Sequence, residues 1–326
     1  MHDWVLAAAS RCYDWFQRRG RLVVVSMHRI GGPAAIGPDV VRRQLEFVAE
    51  RYRVIRPSQF RAVGDRDRLA MVTVDDGHAD VHAVIFPIAQ DLGIPIVVCP
   101  STDFLLHGRW LWFDRLNWIV DHARPGAEFR IGETSVRTED ASQLAAFRFH
   151  LKRLRPPERE SVLQQACDAW GADPPATPPE EYRALSRAEV TQMLRSGLLE
   201  LCGHTVTHTI ATVLPDAELE WELKESKREL EELTGQAIAA FCYPNGGDGD
   251  FDQWTEQRVL EAGYMMALTT IEGLNWSGKC RAMTLKRVHV HFRCGVFMKE
   301  ASGLGDLQRS LQCRRSASNP PPPALA

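Results

Sequence analysis

Short apolar runs alternate with amphipathic segments along most of the chain. Seven runs are rich in valine, isoleucine and leucine and have the length of strands; they cover residues 22–27, 69–74, 94–99, 198–202, 237–243, 265–269 and 285–290. Strands that are apolar along almost their whole length are buried on both faces, which is typical of parallel sheets covered by helices. The pattern therefore predicts an α/β fold with a parallel sheet.

Segments with a helical repeat lie between several of these runs. Residues 39–51, 215–234 and 252–262 place their apolar side chains on one face of a helix. Gly235 follows the second of these segments, and glycine is common just after the last turn of a helix. Residues 78–92 also have a helical pattern, although Pro87 must kink or end that helix because proline has no backbone N–H.

The middle of the chain breaks this alternation. Residues 103–185 are rich in Trp, Arg and Pro, and the stretches near 111–122 and 141–154 have a helical pattern. We expect a helical insertion here, within one catalytic domain that spans residues 21–300. Residues 315–326 contain a proline run and are predicted to form a disordered tail.

Residues 1–20 form an amphipathic segment. Trp4, Ala8, Cys12 and Trp15 fall on one helical face, and three arginines lie in the same segment. One interpretation is a helix that packs on the catalytic domain. The other is an anchor that lies on a membrane surface.

Composition narrows the classes of partner. The formal net charge is −3, so no overall basic field indicates a nucleic-acid partner. The eight cysteines include no C-x-x-C pair and resemble neither a zinc ribbon nor a disulfide framework. No secretory signal is evident, and no apolar stretch has the length of a membrane span. We therefore expect a cytoplasmic protein, associated with the inner membrane face if residues 1–20 are an anchor.

Two adjacent carboxylates follow the second predicted strand. Residues 73–77 read Thr-Val-Asp-Asp-Gly, so Asp75 and Asp76 stand where the strand ends. Neighbouring side chains of a strand point to opposite faces, but a turn at Gly77 can direct both carboxylates towards one cavity. Like charges this close repel unless a cation lies between them or one stays protonated. A solvated Asp-Gly turn is the alternative.

Two histidines follow the fourth predicted strand. His204 and His208 stand four residues apart, so they share one face if the chain turns helically there. Together with Asp76 they form a set of two imidazoles and one carboxylate, which leaves coordination positions open for water and substrate. The sequence therefore predicts one divalent metal ion at these three residues.

A turn rich in proline and glycine follows the fifth predicted strand. Residues 241–247 read Phe-Cys-Tyr-Pro-Asn-Gly-Gly. Such a turn can expose backbone N–H groups to a developing oxyanion, which makes Tyr243 and Asn245 candidates for contact with substrate. An ordinary loop between strand and helix is the alternative.

These three segments, in this order, resemble the motifs of the polysaccharide deacetylase (NodB-homology) family. That family carries Thr-Phe-Asp-Asp-Gly, then His-Ser-x-x-His or His-Thr-x-x-His, then a third motif that contains proline. The likeness extends to residues 27–30, to the aromatic residues 110–114 and to residues 222–227, and covers roughly residues 21–295.

The resemblance implies a distorted (β/α) barrel of seven or eight strands with its site at the strands' C-terminal ends. It implies hydrolysis of an N-acetyl group on a sugar within a polysaccharide, an oligosaccharide or a glycolipid. Asp76, His204 and His208 would hold the metal, with zinc expected first and cobalt, nickel, manganese or iron as alternatives. Asp75 would be the general base that takes a proton from the metal-bound water.

The chain departs from the family pattern at two places. Many members carry an arginine in the third motif where this chain has Cys242, and Arg287 could supply that charge from another strand. The motif that bears the general acid is also unclear, and His289 and His291 are the nearest candidates. His28, at the end of the first strand, is a further candidate, either as the acid or as a support for the site.

Other functions stay open at this level. Relatives with this fold act on other amides, and an O-acetyl ester is a further substrate class. A degenerate member that only binds glycans is the alternative without catalysis. Trp110, Trp112 and Trp118 are candidates for a sugar-stacking platform, although their spacing also fits helix packing.

Overall fold

The computed structural model describes residues 3–30 and 36–318. Eleven strands lie in this part of the chain: β1 (Arg21–Met27), β2 (Arg53–Val54), β3 (Arg68–Asp76), β4 (Ile96–Pro100), β5 (Glu128–Ile131), β6 (Thr134–Arg137), β7 (Leu199–Leu201), β8 (Ala240–Cys242), β9 (Met266–Glu272), β10 (Asn275–Trp276) and β11 (Leu285–His289). All seven strands predicted from the apolar runs are present. They form the main path of the nine-stranded central sheet, in which β2 also pairs with β3 and β10 with β1.

The central sheet is a parallel barrel. Its strand order is β7-β4-β3-β1-β11-β9-β8, and each neighbouring pair along this path is parallel. The ends of the path meet at one short bridge, where the N–H of Gly203 lies 2.9 Å from Ala240 O and the N–H of Cys242 lies 2.7 Å from Gly203 O. The predicted distorted (β/α) barrel is confirmed, with seven strands and its weakest pairing at this closure.

Helices surround the barrel and follow most of its strands. In chain order they are α1 (Asp3–Phe16), α2 (Pro38–Arg51), α3 (Phe86–Leu92), α4 (Thr102–His107), α5 (Trp112–Asp121), α6 (Ala141–Lys152), α7 (Pro156–Trp170), α8 (Arg187–Arg195), α9 (Asp216–Thr234), α10 (Gln253–Glu261), α11 (Cys294–Ser302) and α12 (Leu304–Ser318). Pro87 lies in the first turn of α3, where a missing N–H breaks no helical hydrogen bond, and a wider helical turn precedes it. The predicted irregularity at this proline is therefore confirmed.

Both faces of the barrel strands are buried, which explains their continuous apolar sequence. In β1, Val23 and Val25 pack into the layer between sheet and helices, whereas Leu22 and Val24 belong to a second cluster with Met71, Val97 and Leu268. This second cluster fills the barrel interior because alternate residues of a strand point to opposite faces.

The Trp-rich middle of the chain has a hydrophobic core of its own. α5, α6 and α7 pack with the hairpin β5–β6 around Leu116, Phe129, Phe147 and Trp170. The two predicted helical stretches correspond to α5 and α6. The hairpin was missed because its strands are only four residues long and largely polar, and its turn at Gly132 has a φ of 57°.

The ends of the described chain lie side by side on the barrel. α1 packs against α11 and α12. α12 continues through residues 315–318, where the sequence predicted the start of a disordered tail, and residues 319–326 of that tail lie outside the described residues. No helix in the described ranges is both long enough and apolar enough to cross a membrane.

Candidate active site

The two adjacent carboxylates lie at the C-terminal end of β3, as the sequence predicts. Asp75 pairs with Cys99 and Asp76 with Pro100 in the neighbouring strand, and both carboxylates are buried. Asp76 has a φ of 70° and Gly77 a φ of 88°, so the strand's alternation ends here and both side chains line one cavity. A Cβ on Gly77 would lie 2.7 Å from the Cβ of Pro100, so this turn requires glycine.

The second motif brings its histidines to Asp76. The Nε2 atoms of His204 and His208 lie 3.8 and 3.3 Å from Asp76 Oδ1. The predicted helical turn between them is wrong: the segment is a loop in which Thr205 and His208 have φ values of 61° and 54°. These left-handed residues, rather than the spacing of a helix, bring the two imidazoles together.

The described residues with positive φ outside glycine are Asp76, Thr205, His208 and Asn245. All four belong to the three motifs. Such conformations cost roughly 1–3 kcal/mol each and persist only where the surrounding structure fixes them. The strain is therefore concentrated at the site.

Glu222 of α9 supports the histidine loop. Its buried carboxylate accepts hydrogen bonds from the backbone N–H groups of Val206 at 2.6 Å and Thr207 at 3.1 Å, and from the Thr207 hydroxyl. Burial raises the pKa of Glu222. Sequence reasoning missed this role, although the residue opens the helical segment that resembles the family.

The donor atoms of Asp76, His204 and His208 fit a divalent cation. They lie within 4.8 Å of one another, and all three side chains are buried. His204 Nδ1 lies 2.7 Å from the carbonyl oxygen of Cys242 and must donate to it, so its Nε2 lone pair faces Asp76. Asp76 Oδ1 is buried and forms no hydrogen bond with any described residue. A carboxylate and two imidazoles in this state are ligands that zinc and related metals accept.

Asp75 is held as an anion by a buried arginine. The Nη1 and Nη2 atoms of Arg287 each lie 2.8 Å from a carboxylate oxygen of Asp75, and Arg287 is fully buried. Burial alone would raise the pKa of Asp75, but the charge and hydrogen bond of Arg287, together with the neighbouring histidines, outweigh it and hold the pKa below its usual value. Cys242 contributes a longer thiol contact to Asp75 Oδ1 at 3.7 Å. Arg287 therefore occupies the place that the sequence analysis gave it.

Of the three candidate acids, His28 lies in the cavity. Its Nε2 is 3.6 Å from Asp75 Oδ2, and its side chain is 52% exposed. His289 contacts the carbonyl oxygen of Thr270 at 3.0 Å, and burial lowers the pKa of its imidazole. His291 lies beyond the end of β11, where its Nδ1 accepts the N–H of Arg293 at 2.9 Å.

Neither His289 nor His291 is among the described residues that line the cavity, so the structure does not support their assignment as the acid. The end of β11 fixes the direction of the His289 side chain, and the turn after β11 fixes the direction of the His291 side chain.

The third motif places Asn245, but not the side chain of Tyr243, at the cavity. Asn245 has a φ of 61°, and its buried Nδ2 has no hydrogen-bond partner in the described part of the chain. The Tyr243 ring is fully buried and stacks on Phe251 at 4.8 Å, and its backbone N–H donates to Leu268 O. The predicted contact of Tyr243 with substrate is therefore wrong, because its ring packs in the layer outside the barrel.

Two aromatic side chains from the insertion form a wall of the cavity, whose volume is about 230 Å³. They are Trp112 and Phe113, and the ring of Phe113 lies 5.1 Å from that of His208. The buried pair of His78 and Asp114, at 2.6 Å, joins the same segment to the turn after β3. The insertion thus forms a wall of the cavity beside the three candidate metal-donor residues.

The predicted tryptophan platform is present only in part. Trp112 lines both the active-site cavity and a neighbouring cavity of about 540 Å³, which Trp110 also lines. Trp118 stacks on His122 at 3.9 Å within the insertion. Trp110 and Trp112 are therefore available for sugar contact, and Trp118 is used for packing.

Comparison with known proteins agrees with this fold and motif order. Residues 162–267 match the sequence profile of the family described as polysaccharide deacetylase, and this range contains the second and third motifs. No protein among the curated sequences matches the chain.

Three solved structures have a similar fold. A polysaccharide deacetylase from Bacillus cereus is 18% identical with a TM-score of 0.56, and the match covers 87% of this chain and 69% of that one. IcaB from Ammonifex degensii is 17% identical with a TM-score of 0.55, and covers 87% and 98%. The Streptococcus pyogenes deacetylase PplD, in complex with acetate, is 16% identical with a TM-score of 0.53, and covers 83% and 93%.

These identities are low, so the likeness to solved structures shows the barrel fold. The sequence profile and the three ordered motifs add a likeness in sequence to polysaccharide deacetylases, which the fold alone does not establish. The chain is similar to the polysaccharide deacetylase (NodB-homology) family in its barrel fold, in the order of its three motifs and in the profile match over residues 162–267.

Proposed function

We propose that the protein hydrolyses an N-acetyl group on a sugar residue of a polysaccharide, oligosaccharide or glycolipid, with the help of one divalent metal ion. The profile match over residues 162–267 and the order of the three motifs support a hydrolase of carbon–nitrogen bonds in carbohydrates. One observation carries the metal-dependent mechanism. The buried donor set of Asp76, His204 and His208 lies beside a second carboxylate, Asp75, that a buried arginine keeps ionised.

Asp76, His204 and His208 are the residues that would hold the ion, with zinc as the first candidate because it accepts mixed imidazole and carboxylate sites. When bound there, the ion would polarise the acetamide carbonyl and lower the pKa of a water molecule. The protein contributes the orientation of its ligands: Cys242 O fixes the tautomer of His204, and Glu222 fixes the loop before His208.

Asp75 is the general base of the proposed reaction. It lines the cavity beside the three donor residues and remains ionised at neutral pH, so one of its oxygens can accept a proton from the attacking water. Arg287 holds the carboxylate in place while this happens. Asn245 is the nearest candidate to donate a hydrogen bond to the oxyanion, because its side-chain N–H groups lack another partner among the described residues.

His28 is the general acid of the proposed reaction. An amine leaves only after it has been protonated, so a proton donor must stand on the side of the sugar nitrogen. His28 lines the cavity and is half-exposed, which leaves it able to reach a substrate and to exchange protons with water.

The substrate is a glycan that extends past the cavity. Trp112 forms a shared wall between the active-site cavity and the larger neighbouring cavity. Aromatic faces pack well against the C–H faces of pyranose rings, so a second sugar residue would lie across this wall. The neighbour PplD was solved with acetate, the acid that deacetylation releases.

Mass spectrometry of products tests the proposal. Purified protein with added zinc would be offered N-acetylated and O-acetylated sugars, both free and lipid-linked. We expect acetate and a free amino sugar, and a rate that falls by roughly 10²–10⁴-fold in Asp75→Asn. Asp91→Asn changes an exposed carboxylate of α3 and should retain the wild-type rate.

Three outcomes would contradict the proposal. Turnover of O-acetyl esters alone would assign an esterase instead. Tight binding of glycans without any turnover would favour a binding protein. Wild-type turnover by Asp75→Asn would remove the assigned base.

A further inference from the structure

The helix α1 buries its small polar residues and exposes its large aromatic ones. Ser10 and Asp14 are buried against the barrel, whereas Trp4, Trp15 and Phe16 are 72%, 82% and 79% exposed. A helix that serves only to cover a domain has the opposite arrangement, with its apolar face inwards. The exposed aromatic side of α1 therefore indicates a binding partner outside the chain.

Polar contacts fix the helix at both of its ends. Asp14 forms ion pairs with Arg21 and Arg68 and accepts a hydrogen bond from the Tyr52 hydroxyl at 3.1 Å. At the other end, Asp3 Oδ1 accepts the N–H of Gly295 at 2.9 Å. The exposed aromatic residues are thus held in place by a docked helix.

The exposed side of α1 combines aromatic rings with positive charge. Trp4, Ala8, Arg11 and Trp15 recur at intervals of three or four residues and share one side of α1, Phe16 flanks that side, and the exposed Arg18 follows the end of the helix. Both acids of α1, Asp3 and Asp14, are bound by partners on the opposite side. The side that faces solvent is therefore apolar and basic.

We infer that this side of α1 binds the surface of an anionic phospholipid membrane. Tryptophan rings favour the headgroup region, and arginines next to them attract anionic lipids. α1 has 14 residues, which is too short to span a bilayer but sufficient to lie in its interface. The helix packs on the barrel through one side and meets the membrane through the other, so the two interpretations drawn from the sequence do not exclude each other.

A second copy of the chain fits this surface less well. A symmetric dimer through α1 would place the same arginines of both copies in one interface. Their repulsion would oppose an association that the aromatic residues favour. An anionic lipid surface satisfies both the rings and the charges.

The orientation of α1 gives the surface a relation to the active site. Asp3 lies beside Gly295, just after the C-terminal end of β11, and Asp14 lies beside Arg21 and Arg68, where β1 and β3 begin. The helix therefore runs along the flank of the barrel from the rim that carries the cavity. The use of this orientation to explain how a lipid-linked glycan reaches the active site rests on the proposed function. Membrane binding by α1 does not rest on it.

Vesicle co-sedimentation of the full chain tests the inference. The vesicles would contain phosphatidylcholine alone or a mixture with phosphatidylglycerol. We expect binding to the mixture that weakens as salt rises. The variant Trp4→Ser/Trp15→Ser/Phe16→Ser should lose binding. Its matched control, Trp221→Ser/Trp254→Ser, changes side chains that are 52% and 40% exposed on α9 and α10 and should bind like the wild type.

A second variant separates charge from folding. Arg11→Gln/Arg18→Gln should weaken partitioning onto the anionic vesicles by roughly 25-fold, or about fivefold for each arginine, and leave thermal unfolding unchanged. The inference would be overturned if the wild type did not bind anionic vesicles. It would also be overturned if the Trp4→Ser/Trp15→Ser/Phe16→Ser variant bound them as tightly as the wild type. Self-association of the wild type, abolished in the aromatic variant, without vesicle binding would assign the surface to a second copy instead. Deacetylase activity on soluble substrate should be equal in all these variants, so failure here leaves the proposed function intact.

Discussion

Replacement of Arg287 by methionine should disable the candidate active site without removing any of the three proposed metal ligands. Arg287 Nη1 donates to Asp75 Oδ1 at 2.8 Å, Arg287 Nη2 lies 2.8 Å from Asp75 Oδ2, and both residues are buried. Removal of one partner from such a buried pair costs about 3–5 kcal/mol, because the remaining charge has no counter-ion. The free energy of unfolding of a typical domain is about 5–15 kcal/mol, so the loss should be visible in urea unfolding at neutral pH.

The same change should alter the base. Burial would raise the pKa of Asp75, and the charge of Arg287 is the largest of the contributions that together lower it. Without that charge, burial dominates and the pKa rises, so a larger fraction of Asp75 is protonated at a given pH. At a pH where Asp75 is fully protonated, we expect the rate per folded molecule to be roughly 10²–10⁴-fold below that of the wild type. The rate should recover as the pH is raised and Asp75 ionises. Arg287→Lys keeps the charge and should therefore lose less stability and less activity than Arg287→Met.

Two controls separate the base from general stability. Arg21 is equally buried and pairs with Asp14 at the opposite end of the barrel, where Arg68 also contacts Asp14, so Arg21→Met should lower stability by less than Arg287→Met and leave the pH profile of the folded enzyme unchanged. The double variant Asp75→Asn/Arg287→Met removes both charges and should regain stability without activity. A wild-type rate and pH profile in folded Arg287→Met would refute this reasoning.

Three further predictions concern other parts of the structure. Trp112→Ala should raise KM for acetylated oligosaccharides by roughly 5- to 30-fold, the effect of about 1–2 kcal/mol, and change KM for a single sugar less. Glu222→Ala should weaken zinc affinity by roughly 10- to 100-fold in a competition titration because the loop before His208 loses its support, whereas Glu225→Ala on the same helix should not. Burial would raise the pKa of Glu189, but its contacts with Arg183 lower that pKa to about 2. The ionised Glu189 carboxylate therefore stabilises the fold at pH values above its ordinary pKa. Glu189→Gln should therefore cost roughly 1–2 kcal/mol at pH 7 in chemical unfolding, and the difference should vanish as the pH falls towards about 2.

The barrel could be predicted because its strands are buried on both faces. A run such as residues 22–27 is apolar at every position except Ser26, and both of its faces have a hydrophobic neighbour in the structure. The hairpin β5–β6 lacks this signal, since its few residues cover only the small core of the insertion. Chain composition identified the insertion but did not specify its fold.

The convergence of the site could be predicted, but its loop geometry could not. Asp75, Asp76, His204 and Arg287 lie at or near the C-terminal ends of parallel strands, which meet at one rim, so their approach follows from topology. The direction of a side chain in a loop depends on backbone angles that tertiary contacts impose. Asp76 and Asn245 have left-handed conformations that their sequences do not require. For the same reason, the sequence did not show that Tyr243 packs outside the cavity, or that His28 faces it rather than His289 or His291.

The number of metal ions bound per chain in two neighbouring variants tests the central claim most directly. Wild-type protein and Asp75→Asn, dialysed against zinc and then against metal-free buffer, should each retain about one zinc ion, because the base is not a ligand. Asp76→Asn should retain far less, because a neutral amide is a poorer ligand than a carboxylate. Plasma mass spectrometry measures all three. An empty site in Asp75→Asn together with a full site in Asp76→Asn would contradict the roles assigned to the two carboxylates.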